Sequence, residues 1–275
     1  MKIFDVHTHV FPDKVASRAV EHLRDISGGI PAYHDGTLAD HARREKAAGI
    51  AGWMNCPVAT NARQVHSLNR HSAEGNRWPH LSLGGLFPAA PMEEVLPEVE
   101  YLHSIGLHGV KFHPEYQGFS PLETRLEPLW LRLSELGLPV LFHAGLDVGF
   151  PGARHSRPAD FAELASRFPK LTIICAHMGG WLDWDEVEER LAGSRVYLDT
   201  SFAKMWMADQ GQFLRIIRKH GAQRVLFGTD APWSKPEEAI AEITESGLDE
   251  TEQRAILWDN AARLFRFEEM QGADG

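Results

Sequence analysis

Apolar residues gather in eight short runs along the chain, separated by stretches whose hydrophobic positions recur with helical spacing. Residues 3–7, 52–57, 81–87, 109–113, 140–143, 172–177, 196–199 and 225–230 are the predicted strands. Two of them, around 172–176 and 224–227, are almost continuously apolar, as strands of a parallel sheet covered on both faces should be. Residues 92–105, 122–136, 160–168 and 209–220 are amphipathic, and Gly106 and Gly221 follow two of these segments as helix-terminating glycines do. Strand and helix alternating eight times predict an α/β fold, a (β/α)8 barrel of the TIM type. A doubly wound open sheet fits less well, because no Gly-x-Gly-x-x-Gly follows the first strand. Residues 11–40 are longer than an ordinary strand-to-helix loop and predict a cap after strand 1. Extra C-terminal helices end near 259–267, and the tail 271–275 is expected to be disordered. With no repeat or linker, residues 1–270 read as one domain.

Composition narrows the class. The chain has 275 residues, 43% of them hydrophobic, enough for a sizeable core. Its 28 Lys and Arg against 38 Asp and Glu leave a net charge of −10, which argues against nucleic-acid or acidic-membrane partners and leaves a small-molecule substrate. Cys56 and Cys175 lie in apolar runs and read as buried thiols. With no apolar leader and no membrane-length run, the expected location is cytoplasmic.

Polar residues interrupt these apolar strands at one end. His7 and His9 stand two apart on the first strand, so their imidazoles project from the same face. Lys111 and His113 fall at the fourth strand, His143 at the fifth, His177 at the sixth and Asp230 at the eighth. All belong to C-terminal strand ends, where barrel enzymes build their sites. His7, His9, His143, His177 and Asp230 converging there are hard to explain as packing, since each buried polar group needs its own partner. Imidazole and carboxylate together suit a divalent first-row metal.

These segments carry a resemblance. Asp5-Val6-His7-Thr8-His9, Leu141-Phe142-His143-Ala144-Gly145, Cys175-Ala176-His177-Met178-Gly179-Gly180, Phe227-Gly228-Thr229-Asp230-Ala231-Pro232 and Asn260-Ala261-Ala262-Arg263-Leu264-Phe265 resemble the amidohydrolase superfamily. Within it the chain looks like the branch containing aminocarboxymuconate-semialdehyde decarboxylase and its hydrolytic relatives. The resemblance implies that His7, His9, His143 and Asp230 ligate one divalent metal, usually zinc. His177 would lie beside the metal-bound water or the substrate. Asp230 would act as general base and acid. A second metal bridged by carboxylated Lys111 is the alternative arrangement, set aside because Lys111 lies one layer deeper than the strand end. Lys111 is expected to neutralise Asp5 or a substrate carboxylate. Dimers are common in this branch, so a homodimer is compatible.

Around the predicted mouth, His113, Tyr116 and Arg154 are candidate substrate contacts, the guanidinium being suited to a carboxylate. Asp199 and Ser201 could hydrogen-bond across the mouth, and one or two of Trp53, Trp181, Trp206 and Trp233 are expected to wall the pocket. The leading expectation is hydrolysis of an ester, lactone or amide of a small carboxylated substrate by metal-activated water. The alternative is non-oxidative, metal-dependent decarboxylation of an unsaturated or aromatic acid. A noncatalytic metal-binding scaffold is the reading from another class.

Overall fold

The computed structural model describes residues 1–267; the tail 271–275 lies outside the described residues. The chain order is β1 (Phe4–Thr8), α1 (Ala16–Ile26), α2 (Leu38–Ala47), β2 (Gly52–Asn55), α3 (Val65–Gly75), β3 (His80–Ser82), β4 (Gly84–Gly85), α4 (Met92–Ser104), β5 (Val110–Phe112) and α5 (Pro114–Gln117). Then follow α6 (Glu127–Leu136), β6 (Val140–Phe142), α7 (Pro158–Arg167), β7 (Ile173–Cys175), α8 (Trp184–Glu186), β8 (Tyr197–Asp199), α9 (Gln210–His220), β9 (Val225–Leu226), α10 (Pro236–Thr244), α11 (Glu250–Arg254) and α12 (Asn260–Phe265).

All strand pairs are parallel, and the order β1-β2-β3 and β4-β5-β6-β7-β8-β9 follows the sequence, as a TIM barrel requires. The predicted third strand is split into β3 and β4. Leu83 N–H still donates to Asn55 O on β2 (3.0 Å), whereas Gly84 N–H donates to Gly109 O beside β5 (2.9 Å). One peptide thus hands the strand from one neighbour to the next. The predicted eighth strand is shorter than 225–230, because Phe227 N–H turns away to Ile256 O (3.0 Å). Single bonds close the ring there: Val6 N–H to Phe227 O (2.9 Å), Asp230 N–H to His7 O (2.8 Å) and His9 N–H to Ala231 O (2.7 Å).

Alternation along each strand separates two cores. Val110, Phe112, Val140, Phe142, Ile173 and Cys175 face outward and pack with Leu129, Trp130, Leu133, Phe161 and Leu164 of the surrounding helices. Leu141, Ile174 and Leu226 face inward with Phe4, Val6 and Met54, together with Trp258, Ala261 and Phe265. Phe267 stacks on Phe4 at 4.3 Å and plugs the N-terminal end of the barrel. The opposite end stays open, and α1, within the predicted cap 11–40, covers part of it. The two cysteines are buried and free. No helix among the described residues is long and apolar enough to cross a membrane.

Two buried histidines outside the cavity lining, His34 and His220, tie stability to pH. His220 donates from Nε2 to Val196 O (2.9 Å) and accepts Gly193 N–H at Nδ1 (3.2 Å), which only the neutral ring can do. His34 accepts Gly36 N–H at Nδ1 (3.0 Å). Burial holds both rings down to about 4, from an ordinary value of 6.5. Above pH 6.5 they are neutral folded or unfolded. Between 6.5 and 4 the unfolded chain takes protons that the folded chain refuses, so stability falls as pH falls through that window. The expected loss is on the order of 3 kcal/mol per histidine, and urea titrations at pH 7.5 and 4.5 measure it. His220→Gln is expected to flatten part of that dependence.

Candidate active site at the barrel mouth

A cavity of about 750 Å³ opens at the C-terminal ends of the strands. Its floor holds His7, His9, Lys111, His143, His177 and Asp230; Val10, Leu23, Ile30, Leu68, Phe202 and Trp233 are among its apolar walls. His7 stands on β1, whereas His143, His177 and Asp230 lie just beyond the ladders of β6, β7 and β9. There the backbone is strained: His177 has φ +57° and Asp230 φ +63°, left-handed values that cost a non-glycine residue roughly 1–3 kcal/mol.

Hydrogen bonds fix which ring nitrogen carries the proton. His7 Nδ1–H donates to Asp199 Oδ2 (3.0 Å), so its Nε2 lone pair faces the cavity, 2.9 Å from Lys111 Nζ and 3.5 Å from Asp230 Oδ1. His143 Nε2–H donates to the Leu146 carbonyl (3.0 Å), leaving Nδ1 as a lone pair. His177 Nδ1–H donates to the Ser201 carbonyl (3.0 Å), leaving Nε2 likewise. These two bare nitrogens, His143 Nδ1 and His177 Nε2, face each other at 3.0 Å with no hydrogen between them. Such a contact is repulsive unless an electrophile lies near, and a divalent cation is the natural one. His9 Nε2 is 3.0 Å from Asp230 Oδ1, and the donor atoms of His7, His9 and Asp230 all lie within 4.8 Å of one another. The donors of His7, His9 and Asp230 therefore fit a divalent metal, whereas His143, a fourth predicted ligand, lies outside that group and meets His177 instead.

Electrostatics keep these groups in ligand form. Burial, then neighbouring His113, pushes His143 down to about 3; burial, then His143, brings His177 to about 4. His7 is lowered by burial and then by Lys111. Asp230 is buried, which works against ionisation, but His7 and His9 outweigh that and hold its carboxyl well below the usual range. Burial lowers the Lys111 ammonium.

Other predicted residues divide. His113 and Tyr116 line the cavity, their rings stacked at 3.9 Å. Lys111 contacts His7 rather than Asp5. The Asp5 oxygens are taken by the His7 and Thr229 N–H groups (both 3.0 Å) and by Thr229 Oγ1–H (2.5 Å). Arg154 is outside the residues lining the cavity; it pairs with Asp183 (2.8 Å) and Glu186 (3.6 Å). Trp181 and Trp233 wall the pocket, while Trp53 packs against His41 and His80.

Asp147 escaped the sequence reading. It lines the cavity and accepts His113 Nε2–H at 3.3 Å. Its only sequence signal is a carboxylate four residues past His143, in the loop that His143 itself anchors through Leu146. His113, His143 and Asp147 also approach one another within 4.8 Å. They form no second lone-pair site, because His113 accepts Tyr116 N–H at Nδ1 and so carries its proton on Nε2.

An amidohydrolase family model matches residues 4–267. The chain belongs to the amidohydrolase family. A gamma-resorcylate decarboxylase of Rhizobium sp. (strain MTP-10005) is 24% identical over 220 residues, covering 66% of this chain and 67% of the relative. A gamma-resorcylate decarboxylase of Polaromonas sp. (strain JS666) is 26% identical over 119 residues, 38% of this chain and only 36% of that protein's length. Among solved structures, a 2,6-dihydroxybenzoate decarboxylase complexed with 2,6-dihydroxybenzoate superposes with TM-score 0.70 at 18% identity, covering 97% of this chain and 99% of that one. A dihydroxybenzoic acid decarboxylase from Polaromonas sp. JS666, with bound manganese and the inhibitor 2-nitroresorcinol, gives TM-score 0.69 at 18% identity over 97% of each chain. At such identities the superpositions establish the family's barrel fold.

One glycine holds the loop of His143 in place. Gly145 has φ +91°, and a Cβ there would meet Trp181 N at 2.2 Å, where Trp181 N–H donates to Ala144 O (2.8 Å). Gly145→Ala is therefore expected to destabilise the protein by about 2–4 kcal/mol, read as a lowered denaturant midpoint.

Proposed function

We propose that this chain is a metal-dependent decarboxylase of an aromatic acid. The observation carrying the reading is the set of histidine lone pairs converging with Asp230 beneath an apolar-walled cavity, in a chain whose sequence relatives are gamma-resorcylate decarboxylases. Hydrolysis, the leading expectation from the sequence, would use the same side chains and yields to decarboxylation because of those relatives.

In this reading His7, His9, His143 and Asp230 hold the metal. Zinc and manganese both suit the donors. A bound divalent cation supplies Lewis-acid charge against the negative charge on substrate oxygens. Lys111 adds a buried cation beside His7 for the substrate carboxylate. The apolar walls clasp the ring and exclude water, which would otherwise solvate the carboxylate and resist its loss. In the complex Asp230 takes up a proton from solvent. It then delivers that proton to the ring carbon bearing the carboxylate. The carbon–carboxylate bond breaks, its electron pair restores the aromatic ring, and carbon dioxide departs. Solvent returns the proton to Asp230 for the next cycle. His177, anchored by Ser201, keeps its lone pair towards the reacting centre.

With 2,6-dihydroxybenzoate as probe, manganese- or zinc-loaded protein is expected to release carbon dioxide. Asp230→Asn should lower kcat by about 10²–10⁴-fold and weaken metal binding together, because Asp230 is read as both ligand and proton donor; an active, metal-loaded variant would remove Asp230 from this role. Dialysis against a chelator should abolish turnover, and stoichiometric metal should restore it. Asp199→Asn, which unlocks the His7 tautomer, should weaken metal affinity by about 10–100-fold, measured by competition with a chromogenic chelator. Alkali uptake by lactones in place of carbon dioxide release would return the reading to hydrolysis.

A further inference from the structure

The charged side chains lining the cavity are few: Lys111 and Asp230 at its floor, and Asp147 on its wall. No arginine lines it among the described residues. Asp147 is unlike an ordinary loop aspartate. Its side chain is 12% exposed, and one oxygen is occupied by Gly149 N–H at 2.8 Å. Among the described residues the other receives only His113 Nε2–H, at the long distance of 3.3 Å; His143 Nε2 is 3.8 Å away, beyond hydrogen-bond reach, and already serves Leu146. A carboxylate has about four acceptor positions, so this nearly buried group is under-supplied with donors and borders the cavity. Its carrier is also rigid. The His113 ring is clamped between Tyr116 at 3.9 Å and His143 at 4.0 Å, so the carboxylate has a fixed place on the wall.

We propose that Asp147 is a specificity-determining residue that accepts a hydrogen bond from a hydroxyl or amino substituent of the substrate and rejects a second carboxylate. The substrate class is then a monocarboxylate bearing an uncharged donor, with its acid group towards Lys111 and its donor towards Asp147. A dicarboxylate would bring a second anion against Asp147 with no guanidinium to offset it, because Arg154 is spent on Asp183 and Glu186 outside the cavity. The proposal rests on the decarboxylase reading for the ring-bearing acid, but not for the polarity of the wall.

Binding is therefore measured separately from turnover, by quenching of the cavity tryptophans Trp181 and Trp233 in metal-loaded protein. The probes are 2,6-dihydroxybenzoate, benzoate and benzene-1,3-dicarboxylate. Wild type should bind the dihydroxy acid tightest and the dicarboxylate weakest. Asp147→Asn, equal in volume, should weaken the dihydroxy acid about 10- to 100-fold, leave benzoate within about threefold, and improve the dicarboxylate. Asp147→Ser, which keeps an acceptor for Gly149 N–H, serves the same comparison if the amide lowers the melting temperature. For catalysis, the loss should sit in KM with kcat largely kept. Equal weakening of all three acids, or no change in their order, overturns the proposal. Altered binding order without carbon dioxide release upholds the role of Asp147 while overturning the decarboxylase reading.

Discussion

A single buried carboxylate organises the mouth of this barrel. Asp199 accepts His7 Nδ1–H on one oxygen and, on the other, the His177 and Ser201 N–H groups and the Ser201 hydroxyl. Strands β1, β7 and β8 are thereby pinned to one another through a side chain rather than through their ladders. Burial raises its pKa, and the surrounding donors pull against that rise. Because it fixes the His7 proton on Nδ1, it decides which nitrogen is offered to the cavity; Ser201, which it holds, does the same for His177. The metal-binding character of the floor is thus set one layer below the atoms that would bind.

Much of this architecture was legible from hydrophobic spacing, because parity along a strand is a local property. The alternation Val110-Lys111-Phe112 puts the lysine inside and its neighbours in the outer core, as found. The strand ends likewise mark His7, His9, His143, His177 and Asp230, all of which line the cavity. What escaped depended on events between distant segments. The third strand breaks at Leu83 because its backbone must serve two neighbours in turn, and nothing in residues 81–87 records that. Lys111 is expected on charge to neutralise Asp5 or a substrate carboxylate, and Thr229, 224 positions away, takes Asp5 first. Arg154 was assigned to a substrate on the same grounds, and Asp183 claimed it. Loop charges choose partners by geometry that spacing does not encode.

Hydrolysis and decarboxylation look alike at the level of ligands, and this explains why the motifs pointed to both. Either chemistry wants a dication, a carboxylate that moves protons and a neutral imidazole nearby. The distinction lies in the walls, which come from loops and from the cap. Leu23 of α1, with Val10 and Ile30 flanking it, adds apolar surface above the polar floor. A family signature built from strand ends carries no information about that surface.

The seam between the first strand and the last carries one more consequence. Asp230 and His9 are 221 residues apart and meet only where Val6 bonds Phe227 and His7 bonds Asp230. An emerging polypeptide displaying only β1–β8 would own His7, His9, His143 and His177 yet lack Asp230. Cation capture is thus a report on finished ring closure, and a loaded ion in turn acts as a rivet across that joint, slowing its reopening.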